Sequence, residues 1–113
     1  MARLPHIPLL ALTVASVAAP VAVNTFVGFD DQTAGAGEDA LGIADYDAET
    51  GNALAVTVMG TQRVIAGGVF NKGDEIEVGA GGKAVALNAG KKVAKALEDS
   101  AGDGVFVTVL LTP

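Results

Sequence analysis

Glycine-containing turns divide much of this chain into short runs of apolar and β-branched residues. Turn-forming sequences with glycine occur at residues 67–68, 71–74, 79–82 and 102–104. Between two of them, residues 75–78 (EIEV) alternate acidic and apolar side chains, as in a strand with one face in water. Several short strands joined by such turns are typical of a sandwich or barrel, so the sequence predicts an all-β fold.

The longest β-favouring run, residues 53–66, contains Gly60. A glycine inside a strand often marks a bulge or sharp bend, and a bend here would let one strand serve two sheets or turn a barrel corner. The other predicted strands are residues 21–29, 40–46, 75–78, 83–87, 93–98 and 105–111. The last of these is apolar on both faces, so we expect four of its side chains in the core or at a subunit interface: Val105, Val107, Val109 and Leu111.

The core of this chain is expected to be thin. Its 113 residues correspond to one domain, and half of them are hydrophobic, but four Phe, one Tyr and no Trp leave mostly Ala and Val to fill the interior. Small side chains each bury little area, at about 25 cal/mol per Å². We therefore expect the fold to gain stability from oligomerisation or from a partner.

The first 29 residues carry one charge, Arg3, and resemble an export signal. Residues 9–19 form a fair apolar stretch followed by small residues, but Pro5 and Pro8 interrupt the start. The stretch is also shorter than the roughly 20 residues needed to span a membrane. We expect the segment to be retained, with residues 1–13 as an extended N-terminal arm and residues 14–113 as a single β domain. An apolar arm of this kind needs another surface to cover it, and the side chains expected at that contact are Leu4, Ile7, Leu9, Leu10 and Leu12.

Residues that usually carry catalysis or bind metals are scarce. The chain has no Cys and a single His, His6 in the apolar arm, which excludes disulfides, thiolate chemistry and the usual catalytic triads. We predict no enzyme activity, no metal site and no cofactor.

The net charge of −6 argues against nucleic acid and anionic membranes as partners. Residues 30–49 hold seven acids and no base, whereas residues 83–95 hold four lysines and no acid, an asymmetry most simply interpreted as a solvated surface.

The order of several weak motifs resembles one known family. The runs are DALGIA at 39–44, AETG at 48–51, VFNKGD at 69–74, GKAV at 82–85 and AKALED at 94–99, followed by GDGV and a hydrophobic last strand. In this order and spacing the chain resembles the small capsid cement, or decoration, proteins of tailed bacteriophages, from about Leu12 to Leu111.

The resemblance implies a small β-barrel or β-tulip-like domain that binds the outside of an icosahedral capsid. Such a protein would be made in the host cytoplasm and become part of the virion. Its partners would be the major capsid protein and further copies of itself, as a trimer or a dimer, and it would staple neighbouring capsid subunits and stabilise the expanded head.

Two alternatives remain open from the sequence. The first is a secreted or periplasmic β domain whose N-terminal segment is cleaved. The second is a lipoyl- or biotin-acceptor-like module with Lys83 near a hairpin tip, although Gly82 and Ala84 do not form the usual acceptor motif.

Overall fold

The computed structural model describes the backbone of residues 7–111 and the side chains of residues 11–111, and it confirms the all-β prediction. Within that range the chain forms eight strands and one short 3₁₀ turn, Ala80–Gly82. In chain order the strands are β1 (Ile7–Val14), β2 (Phe26–Val27), β3 (Gly42–Ala44), β4 (Leu54–Phe70), β5 (Glu75–Val78), β6 (Ala84–Ala86), β7 (Ala94–Ala96) and β8 (Ser100–Leu111).

Strand β4 organises the whole fold because it belongs to two sheet regions. It is 17 residues long, and Gly60 near its middle has a φ of +104°, a conformation that side chains other than glycine rarely adopt. The first half pairs with β1 and β3, and the second half pairs with β8 and β6. The irregularity predicted at Gly60 therefore lies where β4 passes from its pairing with β3 to its pairing with β8, and we call this point the bend. All eight strands belong to one continuous sheet.

The second half of β4 closes a five-stranded barrel, which we call the barrel. Its strand order is β4, β6, β5, β7, β8 and back to β4. The β4–β6 pairing is parallel and the others are antiparallel, including that of β5 with β6. Closure leaves these strands with few free edges.

The first half of β4 forms an open region, which we call the sheet, together with β1, β3 and β2. Thr57 of β4 pairs with Ala11 of β1 and with Ile43 of β3, so these two strands lie on opposite edges of β4. At the bend, Thr61 pairs with both Ile7 and Leu110, which places β1 and β8 on opposite edges as well. Along one edge of β4, β3 is therefore followed by β8.

Two hydrophobic clusters correspond to these two regions. The larger fills the barrel and includes Val64 and Ala66 of β4, and the smaller lies against the sheet and includes Leu54 and Val56. Phe26 and Ile43, which come from β2 and β3, reach into the barrel cluster and pack the two regions together. As the composition predicts, most of the side chains in both clusters are Ala and Val.

The predicted strand at residues 21–29 is shorter than expected. Only Phe26–Val27 forms a strand, while Val21 makes an isolated bridge to Ala48. The reason is Asn24, whose φ of +61° turns the chain between these two pairings. β-Branched composition alone does not reveal such a left-handed residue.

Candidate interaction surface

Strand β1 presents an apolar edge along one side of the sheet. Its residues pair with β4, and no strand pairs with its other edge within residues 7–111. Pro8 and two shifts in register between Pro8 and Ala11 interrupt the first half, but the second half pairs regularly to Val14. Bulges and prolines are common protection for an exposed edge, so residues 11–14 are the less protected part. Ala11, Leu12 and Thr13 are exposed there, with Leu12 at 44%.

An apolar groove of about 420 Å³ lies where β4 bends. Strands β3 and β8 lie along the same edge of β4. On that edge Thr57 pairs with β3 and Gly60 pairs with β8, and Val58 and Met59, which lie between these two pairings, line the groove. Apolar side chains from five separate segments complete its wall, and Phe29 at its mouth is 68% exposed. The apolar groove is lined by Leu12, Phe29, Ala40, Leu41, Gly42, Val58, Met59, Val93 and Leu111, with Asp39 and Lys92.

Charges of both signs surround this groove. Lys92 and Asp39 line it, and Lys91 lines an adjoining depression with Asp30 and Glu38. The backbone also joins the two segments, because the Lys91 N–H donates to the Gly37 carbonyl at 3.1 Å. The acidic and basic regions of the sequence therefore meet in space, and their charges partly balance at the groove.

A partly buried polar cluster spans the bend beside the groove. We call Asp45, Thr57 and Gln62 the Asp45 cluster. Oδ1 of Asp45, just after β3, accepts hydrogen bonds from Thr57 Oγ1 at 2.7 Å and from Gln62 Nε2 at 2.6 Å. Thr57 and Gln62 are buried, and they flank Gly60 on β4. One carboxylate oxygen is thus bonded to both halves of the bent strand.

The predicted contact residues of the arm occupy different positions. Ile7, Leu9, Leu10 and Leu12 belong to β1, whereas Leu4 lies outside the described residues. The structure describes only the backbone at 7, 9 and 10, so Leu12 is the member whose side chain can be placed, and it lines the groove. From residue 7 onward the predicted arm is thus paired with β4 of its own chain.

The four residues predicted for the last strand divide into two groups. Val107, Val109 and Leu111 are buried in the barrel cluster, and Leu111 also lines the groove. Val105 lies outside the core with 38% of its surface exposed, so a subunit interface is the alternative that remains for it.

Several groove residues were not singled out from the sequence, notably Phe29, Leu41, Met59 and Val93. They come from distant segments, and each is unremarkable within its own run. The exposed Phe29 beside an acidic loop was the one local signal, because a large aromatic next to a solvated loop lacks an obvious neighbour to cover it.

Neither a metal site nor a membrane-spanning helix is found in the described part of the chain. No three His, Cys, Asp or Glu side chains between residues 7 and 111 are grouped so that they could hold a metal ion. Within the same residues, no helix is long and apolar enough to cross a membrane.

The described residues thus combine a small barrel with an apolar edge strand and an adjoining apolar groove. The family model for phage cement proteins matches residues 8–111. This chain belongs to the phage cement protein family, and its class is that of a phage structural protein.

A solved structure gives the same picture of the fold. The head fiber gp8.5 N base of bacteriophage phi29 superimposes with a TM-score of 0.74 at 21% sequence identity, over 91% of this chain and 93% of that chain. At this identity the similarity establishes a shared fold. No curated protein matches the sequence significantly.

Proposed function

We propose that this protein binds the outer surface of an icosahedral phage capsid and staples neighbouring major capsid subunits, so that it stabilises the expanded head. The observation that carries the proposal is the match to the phage cement family across nearly the whole chain. A ligand that binds the assembled state but not its dissociated subunits stabilises assembly by mass action. Many copies, each bridging two or more subunits, add to that effect.

The contact surface proposed here is the N-terminal arm of residues 1–13 together with the apolar groove. The part of the arm in β1 supplies an open strand edge, and Leu12 connects that edge with the groove. The other protomers of a trimer, or of a dimer, would cover Val105 and the neighbouring Phe106, which are exposed on the barrel. The role is structural, with no catalytic step and no cofactor.

Two features of the structure support this proposal over the alternatives. Val14 and Val17 are buried in the sheet cluster, and cleavage after Ala18 would remove them along with β1. Lys83 Nζ lies 3.0 Å from Asp103 Oδ1 in an exposed ion pair, and its neighbours Gly82 and Ala84 do not form the usual acceptor motif. The intact mass of the virion-associated protein distinguishes all three functions, because cleavage removes mass and acylation adds it.

The direct test is co-sedimentation of the protein with expanded, undecorated capsids of its own phage, with light scattering on the free protein. We expect saturable binding and a higher temperature of capsid disruption. Capsids that neither retain the protein nor gain stability from it would contradict the proposal. Unexpanded capsids are the matched control for binding to the expanded head.

A further inference from the structure

The bend of β4 is held by several directional contacts in addition to apolar packing. β1 pairs with β4 on both sides of Gly60, the Ile65 N–H donates to the Asn24 carbonyl at 2.9 Å, and the side chain of Asp45 bonds to Gln62. Phe26 and Ile43 join the sheet to the barrel through hydrophobic contacts. Burial of apolar surface is non-directional, so these contacts resist separation more than they fix an angle. Hydrogen bonds inside a protein depend on geometry and can specify one arrangement among several that bury similar area.

Asp45 supplies a side-chain contact across the bend. Its backbone belongs to the sheet, because its N–H donates to the Ala55 carbonyl at 3.0 Å. Its Oδ1 also accepts from Gln62, which pairs with Val109 of β8 on the barrel side of the bend. Gln62 Oε1 in turn accepts from the Arg63 N–H at 2.8 Å, which fixes the orientation of the amide.

The same cluster encloses the groove-lining part of β4. Thr57 and Gln62 lie on either side of Val58 and Met59, both of which line the apolar groove. A change in the bend would therefore alter the shape of the groove and the direction of the β1 edge relative to the barrel.

We propose that Asp45 is a positioning residue that holds the sheet and the barrel at the angle needed for capsid binding. This inference rests on the proposed function above. Asp45 itself touches no partner; it acts by keeping most molecules in the binding-competent arrangement. If its loss left only about a tenth of the molecules in that arrangement, the apparent affinity would fall about tenfold.

The absence of native cysteine allows the angle to be measured directly. Spin labels at Thr13→Cys on β1 and Ala101→Cys on β8 sit on exposed positions in the sheet and the barrel. The distance distribution between them, from double electron–electron resonance on the free protein, reports the bend. The doubly labelled parent protein is the reference.

Variants of the Asp45 cluster separate positioning from simple stabilisation. Gln62→Met removes the hydrogen bonds of the amide to both Asp45 and Thr57, whereas Asp45→Ala removes the bond to Asp45 and leaves the Gln62 Nε2–Thr57 Oγ1 bond at 3.2 Å. We expect both variants to broaden or shift the distance distribution, Gln62→Met the more. Asp45→Asn keeps an acceptor oxygen, and Thr57→Val leaves the Asp45–Gln62 bond in place, so both should match the parent. Asp47→Ala is the matched control, because Asp47 accepts from the Val23 N–H at 2.7 Å in the same loop but does not reach the barrel.

Capsid co-sedimentation with the same variants completes the test. We expect Asp45→Ala and Gln62→Met to bind about tenfold more weakly, and the other three to bind like the parent. Unchanged distance distributions in Asp45→Ala and Gln62→Met would overturn the proposal, as would altered distributions with unchanged affinity. If Asp45→Ala does not fold, Gln62→Met decides. A parent protein that fails to bind capsids would overturn the proposed function, while the distances would still decide what Asp45 does.

Discussion

The two halves of β4 belong to one continuous strand but lie in different surroundings, one closed and one open. The second half lies in a closed barrel, with β8 on one edge and β6 on the other. The first half lies in the sheet, where β1 ends in an unpaired edge within the described residues and the apolar groove remains open. Closure satisfies the backbone and gives the domain its stability, whereas an open edge leaves hydrogen-bonding groups and apolar surface for another protein.

This comparison separates residues by what their loss should affect. Substitutions inside the barrel should act on folding, and substitutions at the sheet margin should act on binding. The predictions below test that separation in order of decreasing effect.

The largest effect is expected from a charge placed in the barrel core. Val107 is 1% exposed, so Val107→Asp would bury an unpaired carboxylate and should cost at least ~4 kcal/mol of unfolding free energy. We expect little soluble protein, with loss of cooperative thermal unfolding by circular dichroism. Val105→Asp is the matched control two residues away in the exposed part of β8, and it should fold. If both variants folded, or both failed to fold, the contradiction would be with the prediction that only the buried position of β8 rejects a charge.

A smaller effect on folding is expected at the contact of β3 with β4. A Cβ at Gly42 would collide with the carbonyl oxygen of Thr57, so Gly42→Ala should push the strands apart. Overpacking of this kind costs about 1–3 kcal/mol, measurable by urea unfolding. Hydrogen exchange should rise in β3 more than in the barrel strands. Gly68→Ala, where the new methyl meets nothing within 4 Å, is the control, and a similar loss there would contradict the steric explanation.

The third prediction concerns the sheet margin and binding. Leu12→Thr retains β propensity but removes apolar surface from the groove, so we expect nearly unchanged stability. If Leu12 is buried against the capsid, about 1 kcal/mol of binding free energy is lost, which is about a fivefold weaker association in co-sedimentation. Val69→Thr changes an even more exposed apolar residue, 70% accessible, on the barrel. Equal losses of affinity in both variants would show that the groove contributes no more to capsid binding than other exposed apolar surface.

The smallest effect is expected at the ion pair on the barrel surface. Lys83 and Asp103 are both substantially exposed, so Lys83→Met should change the unfolding free energy by less than about 0.5 kcal/mol. Asp103→Asn should behave in the same way, and capsid binding should be unaffected in both. Loss of function in Lys83→Met alone would instead revive the acceptor-lysine interpretation.

The sequence predicted some of the elements that depend on local pattern, but the turns predicted at residues 67–68 and 102–104 are wrong, because these residues pair with each other inside β4 and β8. Residues 75–78 form a strand with the predicted bounds, because alternation and flanking turns define it without help from the rest of the chain. Gly60 marked the bend for a similarly local reason, since its positive φ requires glycine. The all-β class followed from the number of such segments.

Features that depend on contacts between distant parts of the chain could not be predicted from local sequence pattern. The arm was predicted to be extended, but its pairing with β4, some 50 residues away, has no local signal. The groove combines side chains from Leu12 to Leu111, so no window of sequence contains it. The opposite charge blocks were interpreted separately, whereas the fold brings Lys91 next to Glu38 and Asp30.

The central position of β4 also sets the order of events when the chain folds. Its partners include β1 near the start of the described chain and β8 at its end, with Thr61 contacting both Ile7 and Leu110. Contacts of such large sequence separation slow folding, because long loops must close before they are stabilised. The barrel cannot close until the ribosome has released β8. Until then, the edge of β4 that pairs with β8 remains unpaired and exposed. Early pairing of β1 would therefore shield one edge of β4 from association with other nascent chains.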